Sequence, residues 1–419
     1  MASSDVVGRS TFFSNRWWIV AASVIGSSVG PGTTVIFVIN VFMVPVTTEL
    51  GWSRGLFSSG LLASAVAGPI MTPIFGYLMD RFGIHRVALP TIFLYALGLA
   101  SFALLQKDSV WPLYVMFIAA SGFGACFGPI IYSKSITAWF DKERGLALGI
   151  ATSGVGLGTF IVPSYAQYFI THYGWRTAYV AVAALTWLLA FSMVALFVRE
   201  PSQYSEQGGE APSDPVSPPH TFGVPAATAA KTYRFWLLVI IFLAEGTANN
   251  GILSGHFVPM LVDRGYAPAA AAAILGISGL AALAARVVIG FCLDWVNGPI
   301  FSAAAMMLPA LGVALLVSHA YAPAPLLAAI CCGLAIGAEV DMLGFFTSRY
   351  FGRASFGTIY GLIFAAFVCG VGLGPTILGF GFDHYHSYDP VLWAYLMVLI
   401  VAALLFLPLG RYTYPKGKA

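Results

Sequence analysis

The 419-residue chain is 59 % hydrophobic and 9 % charged, and its net charge is +3. Soluble domains carry roughly 25 % charged residues, so this composition excludes an ordinary soluble fold. The five cysteines all lie in apolar segments, which fits neither a disulfide framework nor a metal site. The composition therefore indicates an integral membrane protein without a nucleic-acid partner, metal or cofactor.

Apolar stretches of about 20 residues or more recur along the whole chain, and each is long enough to cross a bilayer as a helix. Helix is the expected structure, because open strands leave backbone groups unpaired in lipid. In chain order the pattern predicts twelve spans, at approximately 17–46, 54–79, 86–106, 111–139, 145–170, 176–198, 235–261, 267–293, 299–319, 323–348, 356–382 and 390–410.

Two sequence elements occur twice. A charged turn at Gly76–Arg86 follows the second predicted span, and a weaker copy at Gly290–Gly298 follows the eighth. The pentapeptide Gly-Val-Gly-Leu-Gly occurs at Gly154–Gly158 in the fifth span and at Gly370–Gly374 in the eleventh. Small residues at this spacing allow helices to approach closely. The chain is thus predicted to be a duplicated six-plus-six bundle, an architecture common among secondary transporters.

A polar stretch divides the two predicted repeats. Glu200–Ala230 is rich in Pro, Ser, Gly and Glu, a composition typical of a flexible linker. We therefore predict an N-terminal six-helix half at 1–199, a cytoplasmic linker at 200–233 and a C-terminal six-helix half at 234–419.

The distribution of basic residues predicts the topology. Fourteen of the twenty Lys and Arg residues fall on one side of the predicted spans. The exceptions are Arg54, Lys107, Arg176 and Arg264 on the other side, and Lys134 and Arg286 within spans. By the positive-inside rule, we expect a multi-pass protein of the inner (plasma) membrane with both termini in the cytoplasm.

The turn at Gly76–Arg86 has the pattern Gly-x-x-x-Asp-Arg-x-Gly-x-x-Arg. With the twelve spans and the duplication, it resembles the major facilitator superfamily over the whole chain. Trp139–Gly149 resembles the fifth-span signature of the monocarboxylate transporter and oxalate/formate antiporter branches. Arg286–Gly290 with Asp294 resembles their eighth span, in which the arginine binds the substrate carboxylate. The resemblance implies the superfamily's all-α fold and alternating-access transport of a small organic anion.

The chain departs from these branches in three places. The aromatic and acidic signature of the animal monocarboxylate carriers is absent from Val24–Val38. Ala282 occupies the position of the acid that precedes their span-eight arginine. Phe367 lies near the position of the antiporter's second cation. Because two cations suit a dicarboxylate, the loss of one favours a monocarboxylate over oxalate.

A charge within a span should face a watery cavity or a partner, and Arg286 is predicted near the bilayer midplane. A guanidinium matches a carboxylate with two parallel hydrogen bonds, so we predict that Arg286 contacts substrate. The alternative is a structural ion pair with a buried acid. The full set of predicted substrate-binding residues is Arg286, Asn249, Asn250, Tyr132, Tyr360 and Lys134.

Each of the other candidates has a structural alternative. Lys134 could extend to the cytoplasmic surface. Asn249 and Asn250 could form hydrogen bonds between helices, and most aromatic side chains such as Tyr132 and Tyr360 serve packing.

Glu245, Glu339 and Asp341 are the embedded acids of the C-terminal half, and we predict proton coupling at one or more of them. A carboxyl group removed from water favours its neutral form and can carry a proton through a transport cycle. Glu339 and Asp341 point about 200° apart on a helix, so they cannot share one face. The alternative is that one acid permanently neutralises Arg286.

Charges at the cytoplasmic ends of spans two, eight and ten form the predicted gate. We expect Asp80 with Arg81, and Asp294 with Arg349, to hold the cytoplasmic ends of the two halves together in the outward-open state.

The sequence therefore predicts a secondary active transporter of a small organic anion, with a monocarboxylate and proton symport favoured. Anion exchange and a non-transporting membrane sensor are the alternatives. An enzyme is not expected, because the embedded polar residues offer no nucleophile with its base, and the glycine repeats lack a nucleotide-binding pattern. The expected partners are an organic acid, a proton and the lipid bilayer, and we expect a monomer.

Overall fold

The computed structural model describes residues 16–127, 131–132, 135–136, 139–140, 144–198, 223–295, 298–319, 323–352 and 354–414. Apart from an isolated bridge between Gly223 and Gly352, these residues contain helices and no strand. The α-helices are Trp17–Ser28, Ile39–Leu50, Arg54–Phe82, Ile84–Ser101, Trp111–Phe127, Arg144–Thr186, Ser192–Phe197, Ala226–Ala229, Tyr233–Glu245, Phe257–Asp263, Pro268–Trp295, Gly298–Val317, Ala324–Phe351, Phe356–Tyr385 and Asp389–Leu404.

Ten helical segments of the described chain are long and apolar enough to cross a membrane, and Trp111–Phe127 is a shorter apolar helix. One segment, Ala147–Phe197, has 51 residues. At 1.5 Å per residue it would extend about 75 Å, more than twice a hydrocarbon core. Gly174, with φ 82° and ψ 162°, breaks it between the fifth and sixth predicted spans. The all-α, multi-pass prediction is confirmed. The count of twelve stays a prediction, because the fourth span is described only in part.

The first and seventh spans, which correspond in the predicted duplication, are interrupted by π-helical turns. These turns are Gly32–Phe37 in the first span, and Gly246–Asn250 and Ile252–His256 in the seventh. π-Helical turns are rare and often occur at functional sites, because the extra residue changes the direction of the side chains. In the seventh span they carry most of the polar residues of that segment.

The outer glycines of the two pentapeptides pack within their own halves. Gly154 and Gly158 lie against the backbone of the first span, and Gly370 and Gly374 lie against that of the seventh. A Cβ atom at any of these four positions would collide with main-chain atoms. The close approach predicted for these repeats is therefore present in both copies.

The middle glycine of each pentapeptide packs across the two halves instead. A Cβ on Gly156 would lie 2.5 Å from the Gly279 carbonyl oxygen of the eighth span. A Cβ on Gly372 would lie 3.0 Å from the Leu62 Cα atom of the second span. The fifth span thus contacts the eighth as the eleventh contacts the second, which is the arrangement expected of a duplicated bundle.

The end of the predicted linker is folded. Residue 224 donates its backbone N–H to the Phe351 carbonyl oxygen at 3.0 Å, and Ala226–Ala229 forms a short helix in which Ala229 is buried. This part of the predicted flexible segment therefore packs at the end of the tenth span, because its alanines supply an apolar surface there.

Candidate functional site

Glu245 and Asn249 form one side of a buried polar cluster. Both side chains are fully buried in the seventh span. Asn249 Nδ2 donates to Glu245 Oε1 at 2.8 Å and to the Cys332 carbonyl oxygen of the tenth span at 3.2 Å. The π-helical turn that follows Glu245 directs this asparagine between the seventh and tenth spans.

Asn250 and Glu339 form the other side of the cluster. Asn250 Nδ2 lies 3.0 Å from Glu339 Oε1 and 3.1 Å from Oε2. Glu339 is buried, and its carboxyl group adjoins that of Glu245. Two carboxyl groups from different spans are therefore held together, each by a neighbouring asparagine. We call Glu245 and Glu339 the carboxyl pair.

Arg286 is the unpaired cation of this region. Its guanidinium is half-buried in the eighth span, nine residues before the helix ends at Trp295. Among the residues that the structure describes, it has no hydrogen bond and no carboxylate within 4.0 Å. It lies close enough to Glu339 and Asp341 to act on both electrostatically. A partly accessible cation beside acids, yet bonded to neither, can receive an anionic ligand.

Asp341 and Tyr360 complete the accessible part of the site. Asp341 is half-buried, whereas Glu339, two residues earlier, is buried. The half-buried Tyr360 senses the charges of both Asp341 and Arg286. Its ring stacks between Phe356 and Phe364 at centroid distances of 5.6 and 5.8 Å. Arg286, Asp341 and Tyr360 are thus partly accessible groups of the same region, whereas Glu245 and Glu339 are buried.

The structure places Tyr132 elsewhere, against the first span. Its ring occupies the space beside Gly26, and its buried hydroxyl has no hydrogen-bond partner among the described residues. No described contact joins Tyr132 to Arg286. Lys134 lies outside the described residues. Their predicted roles in substrate binding remain predictions.

The predicted cytoplasmic gate is described only in part. Arg81 is exposed, with Nη1 3.4 Å from the Tyr77 hydroxyl, and Arg349 lies over the Phe345 ring. Neither arginine forms an ion pair with a carboxylate in the described part of the chain. The side chains of Asp80 and Asp294 lie outside it, so this gate also stays a prediction.

The opposite end of the bundle carries a set of contacts that the sequence did not predict. Arg54, at the start of the second span, pairs with Asp263, at the end of the seventh. Arg54 Nη1 also donates to the Tyr388 hydroxyl at 2.6 Å, and its guanidinium lies 4.0 Å from the centre of the Phe382 ring. Asp383 accepts the backbone N–H groups of residues 54 and 55 at 3.0 and 2.8 Å. An anion at a helix N-terminus also interacts favourably with the helix dipole. We call Arg54, Asp263, Asp383 and Tyr388 the Arg54 cluster.

His256 continues these contacts inward. Its Nε2 lies 2.8 Å from the Pro375 carbonyl oxygen and 2.9 Å from Ser58 Oγ, and its Nδ1 lies 3.1 Å from the Tyr388 hydroxyl. A carbonyl oxygen only accepts, so Nε2 carries the hydrogen and Nδ1 accepts from Tyr388. Arg54, Tyr388, His256 and Pro375 therefore form one continuous chain of hydrogen bonds from the second to the eleventh span.

The described hydrogen bonds between the two halves all lie toward the Arg54 end. Besides those above, Asn40 of the first span donates to the Leu253 carbonyl oxygen at 2.8 Å and accepts from the Val258 N–H at 3.3 Å. Thr376 Oγ1 donates to the Ser58 carbonyl oxygen at 3.3 Å. These bonds close the bundle at this end.

A Cβ built on Gly76, Gly149, Gly357 or Gly361, near the Arg81 end, meets no described atom within 4 Å, but the same holds for Gly174 and Gly265 near the Arg54 end. Open space at glycines therefore does not distinguish the two ends. Among the described residues, the hydrogen bonds between the two halves mark the Arg54 end as the closed one.

Comparison with known proteins agrees with this architecture. The model of the Major Facilitator Superfamily matches residues 25–375. Monocarboxylate transporter 13 of Bos taurus is 31 % identical over 235 residues, which are 55 % of this chain and 50 % of that protein. The chain thus spans about half the length of this relative. Monocarboxylate transporter 11 of Mus musculus is 27 % identical over 327 residues, covering 74 % and 68 %.

A bacterial relative and a solved structure extend the comparison. The uncharacterized MFS-type transporter YhjX of Escherichia coli is 23 % identical over 320 residues, which are 76 % of each chain. The crystal structure of the nucleoside transporter NupG superimposes with a TM-score of 0.72 at 14 % identity, covering 94 % and 98 %, which shows a shared fold. The relatives are transporters rather than enzymes, as predicted, and the chain belongs to the Major Facilitator Superfamily.

Proposed function

We propose that this protein is a secondary active transporter of a small organic anion, most simply a monocarboxylate, which it carries together with a proton. The observation that carries the proposal is Arg286, a half-buried cation without an ion-pair partner among the described residues. Inserting a charged side chain into the membrane costs at least about 2.5–3.5 kcal/mol on insertion scales. An arginine with only a structural role would be paired with a buried acid, which offsets this cost. An anionic substrate offsets that cost when it binds.

The surroundings of Arg286 support a carboxylate as the ligand. A guanidinium offers two parallel donors to a carboxylate. The ring of Tyr360, with its stacked neighbours Phe356 and Phe364, provides an apolar surface in the same region as the cation. A small organic acid has both parts, a charged group and an apolar remainder. The names of the mammalian relatives agree with this class of substrate.

Alternating access accounts for the asymmetry of the bundle. We assign the Arg54 end to the outside and the Arg81 end to the cytoplasm, because most Lys and Arg residues lie on the latter side. In this orientation both termini are cytoplasmic, the protein lies in the plasma membrane, and the structure is closed outward. The Arg54 cluster then acts as the outer gate, and the predicted Asp80–Arg81 and Asp294–Arg349 groups act as the inner gate.

Proton symport is favoured over anion exchange by the buried acids. A lone anion entering a negative-inside cell works against about 2.3 kcal/mol per 100 mV, and a co-transported proton removes this cost. Glu245, Glu339 and Asp341 all lie in the half that contains Arg286, and two of them are fully removed from water. A carrier that works by exchange alone would not need them.

The test uses the purified, full-length protein reconstituted as a monomer in lipid vesicles. Radiolabelled pyruvate, lactate and an aromatic carboxylate are offered under an inward pH gradient, and oxalate and a nucleoside are offered as comparisons. We expect accumulation of a monocarboxylate that collapses when a protonophore removes the gradient. Exchange without gradient-driven accumulation would establish an antiporter, and no transport of any organic anion would refute the proposal.

A further inference from the structure

The carboxyl pair has an unsatisfied atom at its centre. Glu245 Oε2 is buried and has no hydrogen-bond donor among the described residues, although the Glu339 carboxyl adjoins it. Glu245 Oε1 accepts from Asn249, and both oxygens of Glu339 accept from Asn250. If both acids were ionised, every oxygen at the contact would be an acceptor, and two like charges would meet in a low-dielectric interior.

One proton removes both difficulties. Placed on either carboxyl group, it becomes the missing donor between the two acids and lowers the charge of the pair from two to one. Two carboxylates that share a site do not readily ionise together, so such a pair titrates as a unit. The two asparagines hold the carboxyl groups in place from outside the contact, which leaves the inner oxygens for the proton.

The remaining charge of the pair interacts with Arg286 through Glu339. The other titratable groups near the pair are Asp341, on the same helix as Glu339, and the Cys332 thiol beside Glu245. Arg286 is the described cation that acts on Glu339, and a positive charge attracts the negative charge of an ionised carboxylate. An anion bound to Arg286 cancels this influence, so the pair then gains a proton more readily.

We propose that Glu245 and Glu339 form a single shared-proton site, and that binding of an organic anion at Arg286 drives uptake of the proton by this site. The step consists of one proton moving from water to an oxygen of the pair, with no other bond made or broken. This inference rests on the proposed function for its anion, but the shared proton itself does not. It assigns the coupling role to the pair rather than to Asp341, which is half-exposed and has no second acid at its carboxyl group among the described residues.

The two acids of the carboxyl pair should respond differently to neutralisation. In Glu245→Gln, the new amide donates to Glu339, and Glu339 stays ionised beside Arg286. In Glu339→Gln, Glu245 keeps a proton of its own but no longer senses Arg286. Both variants preserve side-chain size and a hydrogen bond at the contact, so we expect both to fold. Glu49→Gln, at an ion pair with Arg176 on the protein's periphery, is a matched control for the substitution.

The first measurement uses no substrate. Infrared difference spectra of the purified protein, recorded through a pH titration in H₂O and D₂O, report buried protonated carboxyl groups. We expect a band in the parent, Glu49→Gln and Asp341→Asn proteins, and its loss in Glu245→Gln. Persistence of the same band in Glu245→Gln, or its loss in Asp341→Asn, would overturn the shared-proton site whatever the protein transports.

The second measurement tests the link to the anion. Pyruvate is added to the protein in weakly buffered solution, at a pH above the transition of the infrared band, where the substrate-free pair holds no proton. Proton uptake is recorded with a pH indicator alongside binding by calorimetry. Linkage predicts uptake of up to about one proton per bound anion in the parent. It predicts at least a several-fold smaller uptake in both Gln variants, with pyruvate still bound. Normal proton uptake in Glu245→Gln would refute the linkage. Failure of pyruvate to bind the parent would count against the proposed substrate class, and the infrared result would then decide whether the carboxyl pair shares a proton.

Discussion

Arg54 and Asp263 join the two halves of the chain through two parallel hydrogen bonds, from Nη1 to Oδ2 at 2.5 Å and from Nη2 to Oδ1 at 2.9 Å. The side chains are 14 % and 34 % exposed, so water screens the pair only in part. Residues of the second and seventh spans can make this contact only while the Arg54 end is closed. The pair therefore stabilises one conformation of the carrier rather than its fold.

Neutralising the pair should open the outer gate. In Asp263→Asn we expect the closed state to lose about 1 kcal/mol, a five-fold change in population, since the pair is partly screened. Ser254 is buried beneath the gate and its hydroxyl has no described partner, so Ser254→Cys is a conservative reporter. Labelling of this cysteine by a membrane-impermeant thiol reagent, in a background without the native cysteines, should become faster.

A control for this prediction lies at the same end of the molecule. Glu49 pairs with Arg176 inside the N-terminal half, so Glu49→Gln removes a similar ion pair without touching the gate. It should leave the labelling rate unchanged. Equal rates for Asp263→Asn and the parent would show that the Arg54 cluster does not control opening.

Tyr388 should affect the equilibrium between the open and closed states of the Arg54 end, because its hydroxyl forms hydrogen bonds with both Arg54 and His256. Its hydroxyl accepts from Arg54 and donates to His256. Tyr388→Phe leaves the buried His256 Nδ1 without its donor and removes one of the hydrogen bonds of Arg54 in the closed state, at a cost of about 1–3 kcal/mol, or roughly five-fold to a hundred-fold in population. Tyr395→Phe is the control, because its hydroxyl bonds Gly374 within the C-terminal half. Ser254→Cys labelling should rise only in Tyr388→Phe, and a rise of the same size in both variants would contradict the gate.

The two kinds of repeat glycine should give different defects. Gly156→Ala places a methyl group against the Gly279 carbonyl of the other half. It should therefore push the halves apart and favour opening of the Arg54 end. Gly158→Ala places one against the Ser28 carbonyl in the same half, so it should lower the melting temperature instead. Thermal unfolding and Ser254→Cys labelling, measured on both variants, separate these effects. If both variants changed the melting temperature and the labelling rate in the same way, the two glycines would not differ in their effect on opening.

The inner gate remains a prediction from the sequence, and Asp80→Asn tests it. Pairing of these charges would favour the outward-open state, so neutralising Asp80 should shift the population inward. Gly361→Cys is a suitable reporter, since no described atom lies within 4 Å of its Cβ position. Asp108→Asn, in a loop on the opposite side, is the control. An unchanged labelling rate at residue 361 in Asp80→Asn would count against the inner gate.

Much of the fold was predictable from patterns along the chain. Apolar length predicts the spans, and the repeated glycines predict close helix packing, because both depend on residues near each other in sequence. The π-helical turns were not predictable in this way. They arise where tertiary packing of the seventh span overrides the regular helical hydrogen bonds, and no local signal distinguishes Gly246–Asn250 from ordinary helix.

The sequence predicted which residues belong to the candidate site but not which of them contact one another. Arg286, Glu245 and Glu339 stand out as charges in apolar segments, yet their adjacency depends on the packing of three spans. The Arg54 cluster was missed because charges at helix ends usually indicate solvated loops. Only the positions of Arg54 and Asp263 at the same end of different halves could have suggested that they meet.

The most direct test of the whole account compares the parent protein with Arg286→Lys in the same vesicles. Lysine keeps the charge but loses the two-pronged donor geometry, so pyruvate counterflow and pH-driven uptake should both fall by an order of magnitude or more while the protein still folds. Arg176→Lys, at an exposed pair with Glu49 within the N-terminal half, controls for the substitution. If Arg286→Lys binds and transports like the parent, the anion is not anchored at Arg286 and the proposed mechanism is wrong.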